Sequence, residues 1–453
     1  MSYELNLLFV SIKLFLHTGP EQNEFMKRHF LLTFFIATLS ASGFCQNPII
    51  KDIGMSDPHV RVFNDTIYLY SGHDASPEDK TWVMKDWRIF ATTDLVNWTH
   101  KGTISPKDNY MADDSPDCWA GDASSRNGKY YFYFSDRKRG VGVMVANSPT
   151  GPFKDPLGKA LVSPLHDPTL FVDDDENQTP YIVYGDKTDA FYIAKLNDDM
   201  ISVAEQPKPI QINGESWKKA PYWMDKNYLF KHSDCYYLSW GRDYAVSKNV
   251  YGPYESVGAV GHGHNLNEYA HGSFFEWQGQ FYHIWCHYLR RGYKYRECVI
   301  SYCHIDDDGK IVTDTDFMDK HATYGVGRYN DSWDRIEAEW FTEISEGIKK
   351  RGTRKNGFVL TNIKNGSWIK FANVRFEKPI KIRASLTAIN ANGTLEFREG
   401  SPEGRLLGKF KIRSSHPNSP KLKQTWKKVK NGERDIYIKY SGTGEVELDW
   451  IGF

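Results

Sequence analysis

Several things are scarce in this chain of 453 residues, and each scarcity closes off a class of function. Charge of one sign is missing: 57 Lys+Arg stand against 57 Asp+Glu, a formal net charge of zero, so no global field draws the chain to nucleic acid or to an anionic membrane. Cysteine is sparse, six in all, and no Cys-x-x-Cys spacing offers a zinc site or a disulfide framework. With Cys45 at the end of a leader, Cys118, Cys235, Cys286, Cys298 and Cys303 form an odd set, expected to be buried free thiols with one bridge left open. A sustained apolar pattern of helical period is absent from about Asn47 to about Gly325, which argues against a helical fold there.

The apolar run that stands out, Phe30 to Leu39, is too short to span a bilayer comfortably. It follows Met26-Lys27-Arg28-His29 and precedes Ser40-Ala41-Ser42-Gly43, the basic, apolar and small-residue parts of a secretory signal. Residues 1–46 therefore read as a leader, with Met26 as the start and cleavage near Cys45 or Gln46. No transmembrane segment is expected once it is removed, and the address is secreted, periplasmic or cell-surface. A lipid on Cys45 is a weaker alternative, because Phe44 is bulky for the position before it.

Aromatics are abundant instead, 15% of residues with 14 Trp and 27 Tyr, as in β-rich proteins and in those that stack on sugar rings. Five times a turn precedes an aromatic strand: Asp65 to Tyr70, Asn127 to Tyr133, Tyr181 to Tyr184, Asp234 to Trp240 and Gly279 to Trp285. Their spacing suits one four-stranded blade each, roughly 40–50 residues. Such blades bury their faces only against neighbours, so a five-bladed β-propeller is expected over residues 47–328. Between about Gly325 and Trp333 the pattern changes. Short strands at Gly357 to Leu360, Ser367 to Phe371, Ile380 to Ala384, Leu395 to Arg398, Asp435 to Tyr440 and Val446 to Ile451 predict a β-sandwich of the jelly-roll type over residues 333–453. The fold class is all-β.

Two of the predicted hairpins carry an acid on a Pro-fixed turn: Ser56-Asp57-Pro58-His59 and His166-Asp167-Pro168-Thr169. Either alone is an ordinary turn. Together, on repeated blades, they aim two carboxylates at a common centre, as a glycosidase needs. With Asp94-Leu95-Val96-Asn97-Trp98, Trp119-Ala120-Gly121-Asp122 and Ser148-Pro149-Thr150-Gly151-Pro152-Phe153, these stretches resemble glycoside hydrolase family 43. The resemblance implies Asp57 as general base, Asp167 as modulator, inversion at the anomeric carbon and no cofactor for catalysis. The family's acid stands as Glu-x-Pro-x-Leu-Phe-Lys; Leu229-Phe230-Lys231 fixes the register and puts Asp225 there, one methylene short, with Glu215 as fallback. Asp225 is expected to be kept protonated by burial and by Asp167. Trp119 and His271 are expected to contact substrate, although a blade plug and a core histidine are the plainer readings. His262 and His264 lack the carboxylates of a metal site.

Arg335-Ile336-Glu337-Ala338-Glu339 and Leu448-Asp449-Trp450-Ile451 resemble family 6 carbohydrate-binding modules. That likeness implies a structural calcium held by Glu337, Glu339 and Asp449; pairing with nearby Lys or Arg is the alternative. The expected aromatic sugar clamp is not evident, since Leu422 and Glu447 stand near its positions. The reading that results is an exo-acting α-L-arabinofuranosidase, with an oligo- or polysaccharide as its partner and a monomer as its state. A β-xylosidase or galactan-active enzyme of the same family is the alternative, and a non-catalytic glycan-binding surface protein is the rival from another class.

Overall fold

The computed structural model describes residues 47–112, 114–136, 139–185, 191–214, 225–260, 271–321, 324–377, 380–413, 422–426 and 431–453. The leader, with Met26 and Cys45, and also Glu215, His262 and His264 lie outside the described residues. No helix among the described residues is long and apolar enough to cross a membrane.

Each of the five aromatic stretches forms the second strand of a separate antiparallel sheet, and these sheets are the five blades. The seconds are Thr66–Asp74, Lys129–Asp136, Pro180–Gly185, Cys235–Trp240 and Gln280–Tyr288. They bury large side chains on both faces because a blade is covered by a neighbour on each side. Blade 1 is the four strands from Ser56–Phe63 to Thr99–Ile104, and blade 2 has three strands, Cys118–Arg126 to Gly140–Ala146. Blade 4 gains an extra edge from Ile212–Asn213, which pairs in parallel with Tyr254–Ala259.

The first strands, Ser56–Phe63, Cys118–Arg126, Thr169–Val172, Asn227–His232 and Ser273–Trp277, lie against one another in order and the fifth returns to the first. Polar links sew every seam. Arg61 Nε donates to Asp122 Oδ1 at 3.0 Å between blades 1 and 2, and the Leu170 amide donates to Asp122 Oδ2 at 2.7 Å between 2 and 3. Thr169 Oγ1 donates to the Asn227 carbonyl at 2.7 Å, and Tyr228 Oη to the Phe274 carbonyl at 2.6 Å. The Val60 amide donating to Ser273 Oγ at 3.2 Å closes the ring. These first strands are buried and short of outside partners, so paired side chains take over the hydrogen bonding that a neighbouring strand would otherwise supply.

The C-terminal domain is a β-sandwich. Two pairs of short strands expected from the sequence are continuous: Ile380–Glu399 and Gly432–Gly452 each run through what read as a turn. The reason is local. Bulges between Ser385 and Leu386 and between Ile389 and Asn392, with Asn390 at φ 49°, bend the strand without ending it. Gly393 faces Gly442 at the bend. A Cβ on Gly442 would sit 2.3 Å from the Asn392 carbonyl oxygen, so only glycine lets the two backbones come this close.

One hydrophobic cluster runs from blade 5 (Tyr282, Trp285, Tyr302) through Phe317, Trp333, Trp340 and Phe341 into the sandwich (Ile369, Phe371, Ile438, Leu448). Gln280 Nε2 donates to the carbonyls of Glu339 and Phe341 at 2.8 and 2.9 Å, and Lys350 Nζ donates to Gln280 Oε1 at 2.7 Å. The five described cysteines form no disulfide with one another, and all but Cys235 are buried.

Candidate active site

The five propeller residues singled out from the sequence occupy equivalent places in five different blades, at or just before the start of the first strand. Asp57, Trp119, Asp167, Asp225 and His271 take blades 1 to 5 in turn. This is what the ring does for chemistry: five strand mouths converge on one end of the axis. Asp57, Asp167 and His271 have φ of 52°, 58° and 69°. A left-handed conformation strains a residue other than glycine, more so before proline, and costs about 1–3 kcal/mol. It turns each side chain out of its strand and into the centre.

His271 lies between two carboxylates. Its Nε2 is 2.7 Å from Asp225 Oδ1 and its Nδ1 is 2.5 Å from Asp57 Oδ1. The Nε2 contact is the directional one; at Nδ1 the contact is close, but its angle falls outside that of a hydrogen bond. Burial pulls the imidazole toward neutrality, yet Asp225 and Asp57 outweigh it and hold the ring's pKa well above the usual histidine range. Ligand atoms of Asp167, Asp225 and His271 lie within 4.8 Å of one another. With His271 Nε2 facing Asp225 Oδ1 at hydrogen-bond distance, the cluster has the donor and acceptor order of an acid–base group.

Asp57 is 3% exposed and burial alone would raise its pKa, but Arg296, His271 and Lys226 overcome that and hold it well below the carboxylate range. Arg296 Nη1 donates to Asp57 Oδ1 at 3.1 Å. Asp167 is equally buried, its amide donates to Ser135 Oγ at 2.7 Å, and its Oδ1 has no hydrogen-bond partner among the described residues. Burial therefore pushes its carboxyl up, with His166 and His271 opposing and the charges of Asp225 and Asp57 adding to the rise. Asp225 is the most open of the three, with 30% of its side chain exposed. The expectation that it rests protonated is corrected: burial favours that, but the His271 charge outweighs burial and lowers its pKa. His271 also differs from its expected part, since both its nitrogens face protein carboxylates and neither is presented to a sugar.

Trp119 is half-buried, packed edge-on against His166 with ring centroids 5.2 Å apart and tilted against Trp82 at 6.2 Å. Trp82 is 38% exposed and carries Lys294 Nζ 3.9 Å over its ring. These rings form a wall leading from the surface to His166, whose Nε2 is 3.9 Å from Asp167.

Sequence reasoning passed over Arg296, Asp74 and Lys226. Arg296 opens a buried apolar strand, Arg296–Ile305, where a charge has no place unless it is paired, and that was the available signal. Lys226 Nζ lies 3.1 Å from His59 Nε2 and donates to the Asn227 carbonyl at 3.0 Å. Burial lowers its pKa to about 8. His59, kept neutral by burial and by Lys226, donates from Nδ1 to the Gly121 carbonyl at 2.6 Å.

At the expected calcium site Glu337 contacts Arg335 at 2.5 Å, the alternative raised from the sequence. The three acids do not bring their ligand atoms within 4.8 Å of one another among the described residues. Burial nevertheless lifts Glu337 to about 7, with the Asp449 charge adding, and lifts Glu339 well above its ordinary value. Glu339 Oε2 has no hydrogen-bond partner among the described residues. Buried, partly unpartnered carboxylates of this kind suit a hard divalent cation.

Comparison with known proteins adds names to this geometry. The model of glycosyl hydrolases family 43 matches residues 45–311, and that of carbohydrate binding module family 6 matches residues 337–453. An arabinoxylan arabinofuranohydrolase of Paenibacillus polymyxa is 26% identical over 89% of this chain and 73% of its own length. One from Bacillus subtilis (strain 168) is 25% identical over 89% and 90%. A β-xylosidase/α-arabinofuranosidase from a compost microbial metagenome, solved with xylotriose, is 26% identical with a TM-score of 0.52, covering 60% of this chain and 97% of its own. The solved Bacillus subtilis arabinoxylan arabinofuranohydrolase with cellotetraose has a TM-score of 0.53 at 23% identity, over 90% and 97%, a likeness of fold.

Proposed function

Since the chain belongs to glycosyl hydrolase family 43, whose model spans more than half of it, we propose that this glycoside hydrolase is an exported, exo-acting, inverting α-L-arabinofuranosidase. Asp57 is its base, Asp225 its acid and Asp167 the group that tunes them.

The observation that carries the reading is the placement of one imidazole between Asp57 and Asp225, 2.5 Å from one and 2.7 Å from the other. Both carboxylates thus reach one imidazole from different blades, which brings a base and an acid to the same end of the axis, the pairing that an inverting glycosidase requires. Asp57, ionised by Arg296, is fitted to take a proton from that water. Asp225, at the open side, is placed to give one to the leaving oxygen. Asp167, a reluctant carboxylate in the same cavity, opposes further negative charge and so favours a proton on Asp225 when substrate covers the site. The wall of Trp119 and Trp82 offers apolar faces to a sugar ring.

The choice of arabinose rests on the names of the relatives; the xylosidases among them make β-xylosidase the alternative. The sandwich binds carbohydrate in this reading, and Glu337, Glu339 and Asp449 hold a structural calcium. The test is release of free sugar from arabinan, arabinoxylan and arabinogalactan, and from nitrophenyl pentosides and hexosides, by wild type and Asp225→Asn. Arabinose that disappears in the variant is the expected result. Xylose or galactose would name a different enzyme of the family, and no product from any substrate would favour the glycan-binding protein.

A further inference from the structure

Resting on the assignment of Asp225 as the acid, we propose that the proton it delivers is stored on His271, so that the general acid of this enzyme is the His271–Asp225 pair and not a carboxyl alone. Three observations lead there. Asp225 Oδ1 receives both His271 Nε2, at 2.7 Å, and the Lys226 amide, at 3.0 Å, which is how a carboxylate is held and not a carboxylic acid. The far nitrogen of the same ring is pinned 2.5 Å from Asp57, so the ring has little freedom to turn away. Asp225 is also the most open of the three carboxylates, with 30% of its side chain exposed, so it is the member of the pair that can hand a proton on to a leaving group.

The charges facing His271 favour this arrangement. Asp57 and His59 come from blade 1, Asp167 from blade 3, and Asp225 with Lys226 from blade 4; Arg296, Cys286 and Tyr288 come from its own blade. Three carboxylates surround the ring, and Arg296 is committed to Asp74 through Nε and Nη2 as well as to Asp57.

The step balances without outside help. When substrate covers the site and expels water, the ion pair is disfavoured against its neutral form, and the proton crosses from Nε2 to the Asp225 carboxylate. A half-turn of the carboxyl presents it to the glycosidic oxygen. As the anomeric carbon–oxygen bond breaks, the leaving oxygen takes that proton, while water adds to the carbon and gives its own proton to Asp57. Afterwards Asp57 loses its proton to solvent and Nε2 regains one, which restores the imidazolium.

The test is the pH dependence of kcat on arabinoxylan for wild type, His271→Gln and His271→Asn, beside a dinitrophenyl arabinofuranoside, whose leaving group departs without a proton. If His271 stores the proton, its loss leaves Asp225 to be protonated by solvent alone. The basic limb on arabinoxylan then moves down by about one pH unit or more, a tenfold change in the ionisation constant, with turnover recovered at acid pH and no matching shift on the dinitrophenyl glycoside. If His271 is only a charge beside Asp225, removing it raises the carboxyl's pKa and moves the limb up. That upward shift, an unmoved limb, or variants inactive on arabinoxylan at every pH would overturn the proposal. Failure of the underlying assignment is read separately: Asp225→Asn would then keep its turnover of arabinoxylan.

Discussion

Arg296 is shared between Asp57 and Asp74: one guanidinium nitrogen lies 3.1 Å from Asp57, and the others grip Asp74 at 2.9 and 3.0 Å. All three side chains are almost wholly buried. Two carboxylates against one cation make Arg296 the residue on which the ionised base depends. In Arg296→Met, Asp57 loses its strongest stabilising charge and its pKa rises, so the acid limb of kcat/KM moves toward neutral pH. Breaking a buried pair from one side also costs about 3–5 kcal/mol of stability, measurable by denaturant unfolding.

Asp57→Asn keeps the shape of the site and removes the base. A loss of roughly 10²–10⁴ in kcat is expected, with little change in KM, in steady-state kinetics on the substrate identified by sugar release. Asp57 also couples folding to acid. Its folded pKa is depressed, so its contribution is fully present above the unfolded value of about 3.9 and is lost as pH falls below it. Melting temperatures of Asp57→Asn and wild type should therefore converge only at strongly acid pH.

Glu337 gives the opposite sign. Its folded pKa is raised to about 7, so in a chelator the protein should lose stability as pH climbs from the unfolded value of about 4.3 toward 7, where the buried group is forced to ionise. Calcium bound there would compensate the charge and flatten that decline. Thermal melts at pH 5 and pH 7, with EDTA and with added calcium, check this. No calcium effect at pH 7 would leave Glu337 to its pair with Arg335.

Gln280→Ala should weaken the junction of the two domains. It removes two hydrogen bonds to the Glu339 and Phe341 carbonyls and strips Lys350 of an acceptor in a buried setting. A loss of about 2–3 kcal/mol is expected, seen as a lower melting temperature in a transition that remains single.

Trp82→Ala should raise KM on polymeric substrate several-fold and leave turnover of a nitrophenyl pentoside nearly unchanged. Trp82 is exposed at the outer end of the aromatic wall, with Trp119 in contact with both it and His166, so a substrate that extends beyond the cleaved sugar is the one expected to reach it.

How far the sequence could be read depended on whether a feature was periodic or paired across distance. The five aromatic strands were legible because each blade repeats turn and strand locally, and Asp57 and Asp167 because each sits on the same Asp-Pro turn before its strand. Asp225 was found from the register of Leu229-Phe230-Lys231, but not its charge, which is set by His271 from another blade, 46 positions on by the numbering. Arg296 and Lys226 were invisible for a similar reason: each matters through partners on other blades, which one chain read in order does not display. The long sandwich strands were missed because a bulge and a turn use the same residues, Asn and Gly, and only the partner strand tells them apart.

The single hydrophobic cluster that passes from Tyr302 through Trp340 to Leu448 bears on how such a protein can be recombined. A binding module joined by a loose tether can be cut off or exchanged for another with little penalty. Here the exchange would have to replace Trp333, Trp340 and Phe341 together with the surface of blade 5 that covers them. The junction between the two domains is therefore a poor splice point, and the two should be inherited, expressed and engineered as one piece.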